Sequence, residues 1–159
     1  MTVVSDIRQH GFTFIALLAA LAVFSAGSLA FSALWSESVR REREVDWLRA
    51  GDAYAKAIKS HFDSSPGTVK QYPITLDDLL QDLRFAGVRR HLRRVYPDPL
   101  APGQAWVLIR GHDGGIIGVH SSAPGRPRTQ SNLPATAVVS GPIRSYSDVR
   151  FMHQPGATR

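Results

Sequence analysis

Six histidines, a group of three aspartates, a glycine-rich stretch and a run of arginines are the residues of this chain with types suited to chemistry. His112 and His120 flank the glycine-rich stretch, which also holds Asp113, while His10, His61, His91 and His153 are dispersed. A zinc centre needs three or four converging ligands, and no H-E-x-x-H or similar spacing occurs, so these histidines are expected at the surface. Asp77, Asp78 and Asp82 suggest paired carboxylates, yet they fall at the start and on the outer side of a short helix, where the helix dipole favours acids. Gly111 to Gly118 has no lysine and does not lead into a helix, which excludes a phosphate loop. No serine sits in a G-x-S-x-G elbow. The absence of cysteine removes thiolate nucleophiles, Cys-based zinc sites and disulfides. The expectation is a protein that is not an enzyme and carries no metal or cofactor.

Charge is the remaining chemical signal. The formal net charge is +6, the pI is near 10.3, and the densest run is Arg89-Arg90-His91-Leu92-Arg93-Arg94. Such a run grips phosphates, acidic partners or anionic headgroups, or is simply a solvated face. Nucleic acid calls for aromatic faces between the cations, and only Phe85 and Tyr96 stand at the margins. Arg89, Arg90, Arg93 and Arg94 are therefore candidates for a surface toward an acidic partner, with nucleic acid not the expected one.

The elements that carry these residues begin with an apolar run. From Phe12 to Trp35 there are 24 residues without a charge, enough for a helix across a hydrocarbon core of ~30 Å. It exceeds the 7–15 residues usual for the apolar core of a signal peptide, although Ser28-Leu29-Ala30 has the look of a cleavage site. A plain signal anchor fits the length equally well. Arg8 alone precedes the run while Arg40, Arg41, Arg43 and Arg49 follow it, a bias that by itself favours a cytoplasmic C-terminal side.

The helical signal then continues without proline to Pro66. Val39, Trp47, Leu48, Gly51, Tyr54, Ala55, Ile58 and Phe62 form one stripe, with Arg49, Asp52, Lys56, Lys59 and Asp63 on the other side. One helix from about Phe12 to Phe62 is expected, apolar all round in its first half and amphipathic in its second. The segment Arg40 to Asp46 is charged nearly all round and is expected in solvent. Thr75 is expected to cap a short helix bearing Leu76, Leu79, Leu80 and Leu83, ended by Gly87. Trp106 to Arg110 and Ile116 to Ser121 read as a hairpin around Gly111 to Gly115, with the amphipathic half of the first helix as its cover. From Ala123 the chain is rich in Pro, Gly, Ser and Arg. Ala137-Val138-Val139 and Val149 to Met152 are the only strand candidates in a tail expected to be mostly disordered or loosely docked.

The residues Gly11-Phe12-Thr13-Phe14-Ile15-Ala16-Leu17-Leu18 resemble the cleavage and methylation signature of type IV prepilins and type II secretion pseudopilins. The resemblance implies cleavage between Gly11 and Phe12 by a prepilin peptidase and N-methylation of Phe12. It widens through Tyr72-Pro73, Leu79-Leu80, Tyr96-Pro97-Asp98-Pro99 and Trp106 to Ser121, which look like the domain of the G-type pseudopilin, so that about Gly11 to Ser122 is covered. One feature departs from the family: the glutamate usual at the fifth mature position is Ala16 here. That carboxylate is thought to pair with the terminal amine of a neighbouring subunit, and a buried ammonium without a counter-charge is costly. A minor subunit at a filament tip and a divergent, inefficiently processed member both remain open. The calcium loop of many G-type proteins is not carried over, because no acid lies between Asp113 and Asp148.

The expected architecture is thus α+β and pilin-like, a long N-terminal helix packed on a small antiparallel hairpin or sheet. Its parts would be a leader (1–11), a transmembrane or filament-core helix (12–35), a periplasmic domain (36–122) and a tail (123–159). The resemblance implies a structural subunit in the bacterial inner membrane that assembles with other pseudopilins, a prepilin peptidase and an inner-membrane platform for protein secretion. The alternatives are a competence-type minor pilin binding DNA and a signal-anchored periplasmic protein without a filament role.

Overall fold

The computed structural model describes residues 8–154, with side chains for 12–25 and 37–154. Residues 1–7 and the side chains of 8–11 in the expected leader, and the side chains of 26–35 in the expected span, lie outside that set. The chain divides into two compact units that meet at Arg41 and Glu42. The first is helical: α1 (Arg8–Asp63) starts there and supplies the second unit as well. In the first unit Phe12 to Ser25 are all exposed. Among the described residues no helix is long and apolar enough to cross a membrane.

The second unit is an α+β domain. Alongside α1 it holds α2 (Asp77–Leu80) and four strands, β1 (Val107–Arg110), β2 (Ile116–His120), β3 (Ala137–Val139) and β4 (Val149–Met152). The strands form one antiparallel sheet in the order β1-β2-β4-β3. The β1–β2 hairpin is the one its glycine-rich turn predicts. Gly114 takes φ +77°, a conformation open to glycine at no steric cost, and its carbonyl accepts from Arg110 Nη1 at 2.7 Å. Pairing slips by one residue between Ile109 and Arg110, the mark of a β-bulge.

The apolar stripe of α1 covers this sheet, as its period requires. Trp47, Tyr54 and Ile58 are fully buried with Ile116, Val119, Val149 and Phe151, and Trp106 is buried beside them. Trp47 meets Phe151 edge-on at 5.2 Å between ring centres, and Tyr54 meets Trp106 at 5.6 Å, the offset geometry that ring quadrupoles favour. Gly51 is where helix and sheet come closest, since a Cβ there would lie 2.3 Å from Phe151 Cδ2. The opposite face carries the expected charges, with Lys56 paired to Asp52 at 2.7 Å and Lys59 paired to Asp63.

Three expectations are corrected. The tail read as disordered or loosely docked instead supplies half the strands, and β4 lies between β2 and β3. Val149 and Phe151 alternate with exposed Arg150, so their side chains enter the core beneath α1. Residues 155–159 lie outside the described set. The short helix also differs: it ends at Leu80, not Gly87, and its N-cap is Leu76, without a side-chain cap. Asp78 reaches back to accept from the backbone N–H groups of Ile74 and Thr75, both at 2.9 Å. Lastly, Glu44 is not in solvent but only 3% exposed.

Candidate functional site

Two features set this chain apart from an inert domain: the apolar surface of the first unit and the basic loop of the second. On α1, Gly11 falls within the helix, and Phe12, the first described side chain, is 75% exposed. Phe14, Ile15, Leu17, Leu18, Leu21 and Val23 are exposed as well, and Ala16 shares that surface. Apolar side chains at every azimuth of a helix leave it no side to turn to water. An exposed patch of this extent marks contact with a membrane or another protein.

The basic loop is built from the residues between α2 and the buried Leu92. Backbone bonds pin its ends: Asp82 N donates to Arg89 O at 2.9 Å, and His91 N and Leu92 N both donate to Leu79 O, at 2.9 and 2.8 Å. Asp82, expected on an exposed side, is instead 2% exposed. Its carboxylate accepts from Arg84 Nε at 2.8 Å and Nη2 at 2.7 Å, and from the Arg84 backbone N at 3.1 Å. These donors, the Arg84 side chain first, hold the Asp82 carboxyl well below the usual carboxylate range.

His91 lies in the middle of the arginine run, yet its ring is buried, with Nε2 3.1 Å from Asp82 Oδ2 and Nδ1 2.8 Å from Ser60 Oγ. Arg84 continues the network to the last turn of α1 and the residues just after it, donating to His61 O and Ser65 Oγ, each at 2.9 Å. His61 is buried too, 5.4 Å from His91 ring to ring, and its Nδ1 has no hydrogen-bond partner among the described residues. Burial, and after it Arg84, pushes the His61 pKa down. The expectation of surface histidines therefore fails at His61 and His91, whereas His112 is exposed.

The four candidate arginines, Arg89, Arg90, Arg93 and Arg94, are all exposed. Arg89 stacks over the Phe85 ring at 4.7 Å, and Arg94 over Tyr96 at 5.2 Å. Tyr96 is tied in turn to the core: its carbonyl accepts from Tyr54 Oη at 2.9 Å and Trp106 Nε1 at 3.1 Å, while its N–H donates to Tyr54 Oη at 2.9 Å. Arg94 and Tyr96 line one side of a cleft of about 540 Å³ whose other side is Asp46, Arg49, Ala50 and Ala53 of α1. A second, shallow cleft of about 620 Å³ gathers Tyr72, His112, Asp113, Met152 and His153. Among the described residues no group of three or more His, Asp or Glu is placed to hold a metal ion.

Glu44 forms another buried polar contact. Its Oε1 accepts from Tyr146 Oη at 2.6 Å and Arg128 N at 3.3 Å, which ties the start of the amphipathic stretch to the C-terminal segment. A signal for it existed. Glu44 stands three residues before Trp47 and seven before Gly51, in phase with the apolar stripe, and His61 continues the same phase three residues after Ile58. The roles of Asp82 and His91 had no such mark, since both they and Arg84, the main partner of Asp82, lie in irregular segments without a period. No family model matches this chain, and no curated protein or solved structure does either.

Proposed function

We propose that this chain is a pseudopilin-like structural subunit of a type II secretion filament, or of a related type IV pilus-like filament, held in the bacterial inner membrane with its C-terminal domain in the periplasm. The observation that carries the reading is the change of surface along α1. Phe12 to Ser25 expose apolar side chains on all sides, while Trp47, Tyr54 and Ile58 of the same helix are fully buried by a sheet. A helix of this kind needs lipid, or other helices like itself, around its first part. Assembly then consists of exchanging lipid for the helices of neighbouring subunits, while the folded domain stays outside the filament core.

On this reading the work of the protein is assembly, not catalysis. Its partners are other pseudopilins, the prepilin peptidase that cuts between Gly11 and Phe12, and an inner-membrane platform. The bond to be cut lies inside α1, so the peptidase has to unwind the first helical turns, where few tertiary contacts oppose it. Ala16 provides no carboxylate for the new amine at Phe12, which suits a subunit at a filament end better than one along the shaft. The DNA-binding alternative gains little support from the basic loop, because the Phe85 and Tyr96 faces already carry arginines.

Co-expression with a prepilin peptidase, followed by mass spectrometry of the mature N-terminus, tests the proposal. A chain beginning at Phe12, with or without a methyl group, is the expected result. An uncut chain or one cut after Ala30 would sink it and leave a signal-anchored protein or a secreted one.

A further inference from the structure

The loop from Asp82 to Leu92 lies over the C-terminal end of α1 and is held there through polar groups. Arg84 donates to His61 O and Ser65 Oγ, and His91 Nδ1 lies 2.8 Å from Ser60 Oγ. Three backbone bonds close its ends, from Asp82 N to Arg89 O and from His91 N and Leu92 N to Leu79 O. Between those ends the loop buries little: Leu83 is 81% and Val88 71% exposed, and Ala86, Gly87, Arg89 and Arg90 are exposed as well. Segments with few buried apolar contacts open first. The helix beneath is far better fixed, because Trp47, Tyr54 and Ile58 are fully buried against the sheet.

His61 is the weak point under this loop. It is 4% exposed, its Nδ1 has no hydrogen-bond partner among the described residues, and its ring centre is 5.4 Å from that of His91. The charged and titratable groups that face it are Arg84, Asp82 and His91 from the loop and Asp78 from α2. Both carboxylates have other partners. Asp82 is engaged by Arg84 Nε and Nη2 and lies 3.1 Å from His91 Nε2, and Asp78 accepts from the N–H groups of Ile74 and Thr75. Among the described residues no carboxylate stands within ion-pair distance of His61. A neutral ring is tolerated in such a place, whereas a protonated one is a buried cation near the Arg84 guanidinium without a counter-charge of its own, which is costly.

The geometry points to a proton-operated latch: a proton taken up by His61 releases the loop from Asp82 to Leu92, with Arg89 and Arg90 on it, from the end of α1 while the sheet stays folded. Burial, and after it Arg84, holds the His61 pKa below its ordinary value. Such a group stabilises the closed loop fully above pH ~6.5 and loses that effect as pH falls below it, by up to about tenfold in the opening equilibrium per pH unit. Imidazole is the side chain whose charge changes in that range. Asp82 is held well below the usual carboxylate range and stays ionised throughout it, so the Asp82–Arg84 pair is not what titrates. The latch belongs to the folded domain and does not rest on the filament reading.

Amide hydrogen exchange of the full chain in detergent, read by NMR at about pH 7 and pH 5 and expressed as protection factors, tests the latch. The amides of Asp82, His91 and Leu92 are expected to lose protection by about tenfold or more at the lower pH, while those of β2 and β4 stay better protected than the loop at both. His61→Gln should remove that fall. Should the variant fail to fold, the unsubstituted chain still decides: with labelled histidine, the His61 ring and the loop amides should titrate with one midpoint. Loop protection that ignores pH overturns the inference, as does a fall that survives His61→Gln or a ring midpoint separate from that of the loop. One protection factor shared by loop and sheet amides at pH 5 overturns it too, because the domain then opens as a whole.

Discussion

Residues 12–25 and 44–58 belong to the same helix and are both rich in apolar side chains, yet the first stretch is exposed and the second is mostly covered. The difference lies in periodicity. The second stretch has a polar side, with Lys56 exposed and paired to Asp52, and its apolar stripe is narrow enough for a four-stranded sheet to cover. The first has no polar side, so no single layer of the same chain could cover it. Hydrophobicity therefore states that a surface will be buried, and periodicity states whether the chain can bury it unaided.

The sharpest way to break this comparison is to truncate one aromatic in each stretch's environment. Phe151→Ala removes the ring beneath Trp47 and Gly51 and should lower unfolding stability by about 3–5 kcal/mol, read as a fall in the melting temperature of the full chain in detergent. Phe14→Ala should stay within about 0.5 kcal/mol. Equal losses would mean that the exposed stretch is part of the folded core after all.

A second test concerns the polar support of the domain. Asp82→Asn leaves the partly exposed Arg84 guanidinium without its counter-charge, and the cost should be about 2–3 kcal/mol by urea unfolding. A neutral outcome would make the network incidental to the fold. Gly51→Ala probes the closest approach of helix and sheet. The added methyl must displace the Phe151 ring, and even after the better helix propensity of alanine the loss should be about 1–2 kcal/mol. A stabilised variant would show that the helix–sheet spacing has slack.

The smallest expected effect is that of pH. His61 is held below its ordinary value by burial and then by Arg84, and His153 by burial and then by Lys59. The unfolded chain takes up protons near pH ~6.5 that the folded chain resists, so stability is full above that pH and declines as pH falls below it. Asp82 acts in a lower window: its folded-state pKa is depressed, so its contribution persists above pH ~3.9 and is lost only as pH falls further. The urea midpoint should drop between about pH 8 and pH 5, by less than any destabilising substitution above, and His61→Gln should flatten part of that slope. An unchanged slope would remove His61 from this account.

The sequence alone determined the elements whose signals are local. The apolar run and the phased stripe of α1 follow from the 3.6-residue period, and the β1–β2 hairpin follows from two apolar runs around Gly111 to Gly115, because each of these is encoded within a few turns or residues of itself. Only the tertiary structure decided the rest. Val149-Arg150-Phe151-Met152 is too short and too isolated among Pro and Gly to predict its place, and β4 is an inner strand because β2 and β3 offer backbone partners on both sides and α1 offers a cover. Glu44, Asp82 and His91 look like surface residues in a list of letters. Glu44 and His91 are buried because Tyr146 and Ser60 arrive from other parts of the chain with the hydrogen bonds that replace water, and Asp82 because the fold of its own loop brings Arg84, two residues on, back onto its carboxylate.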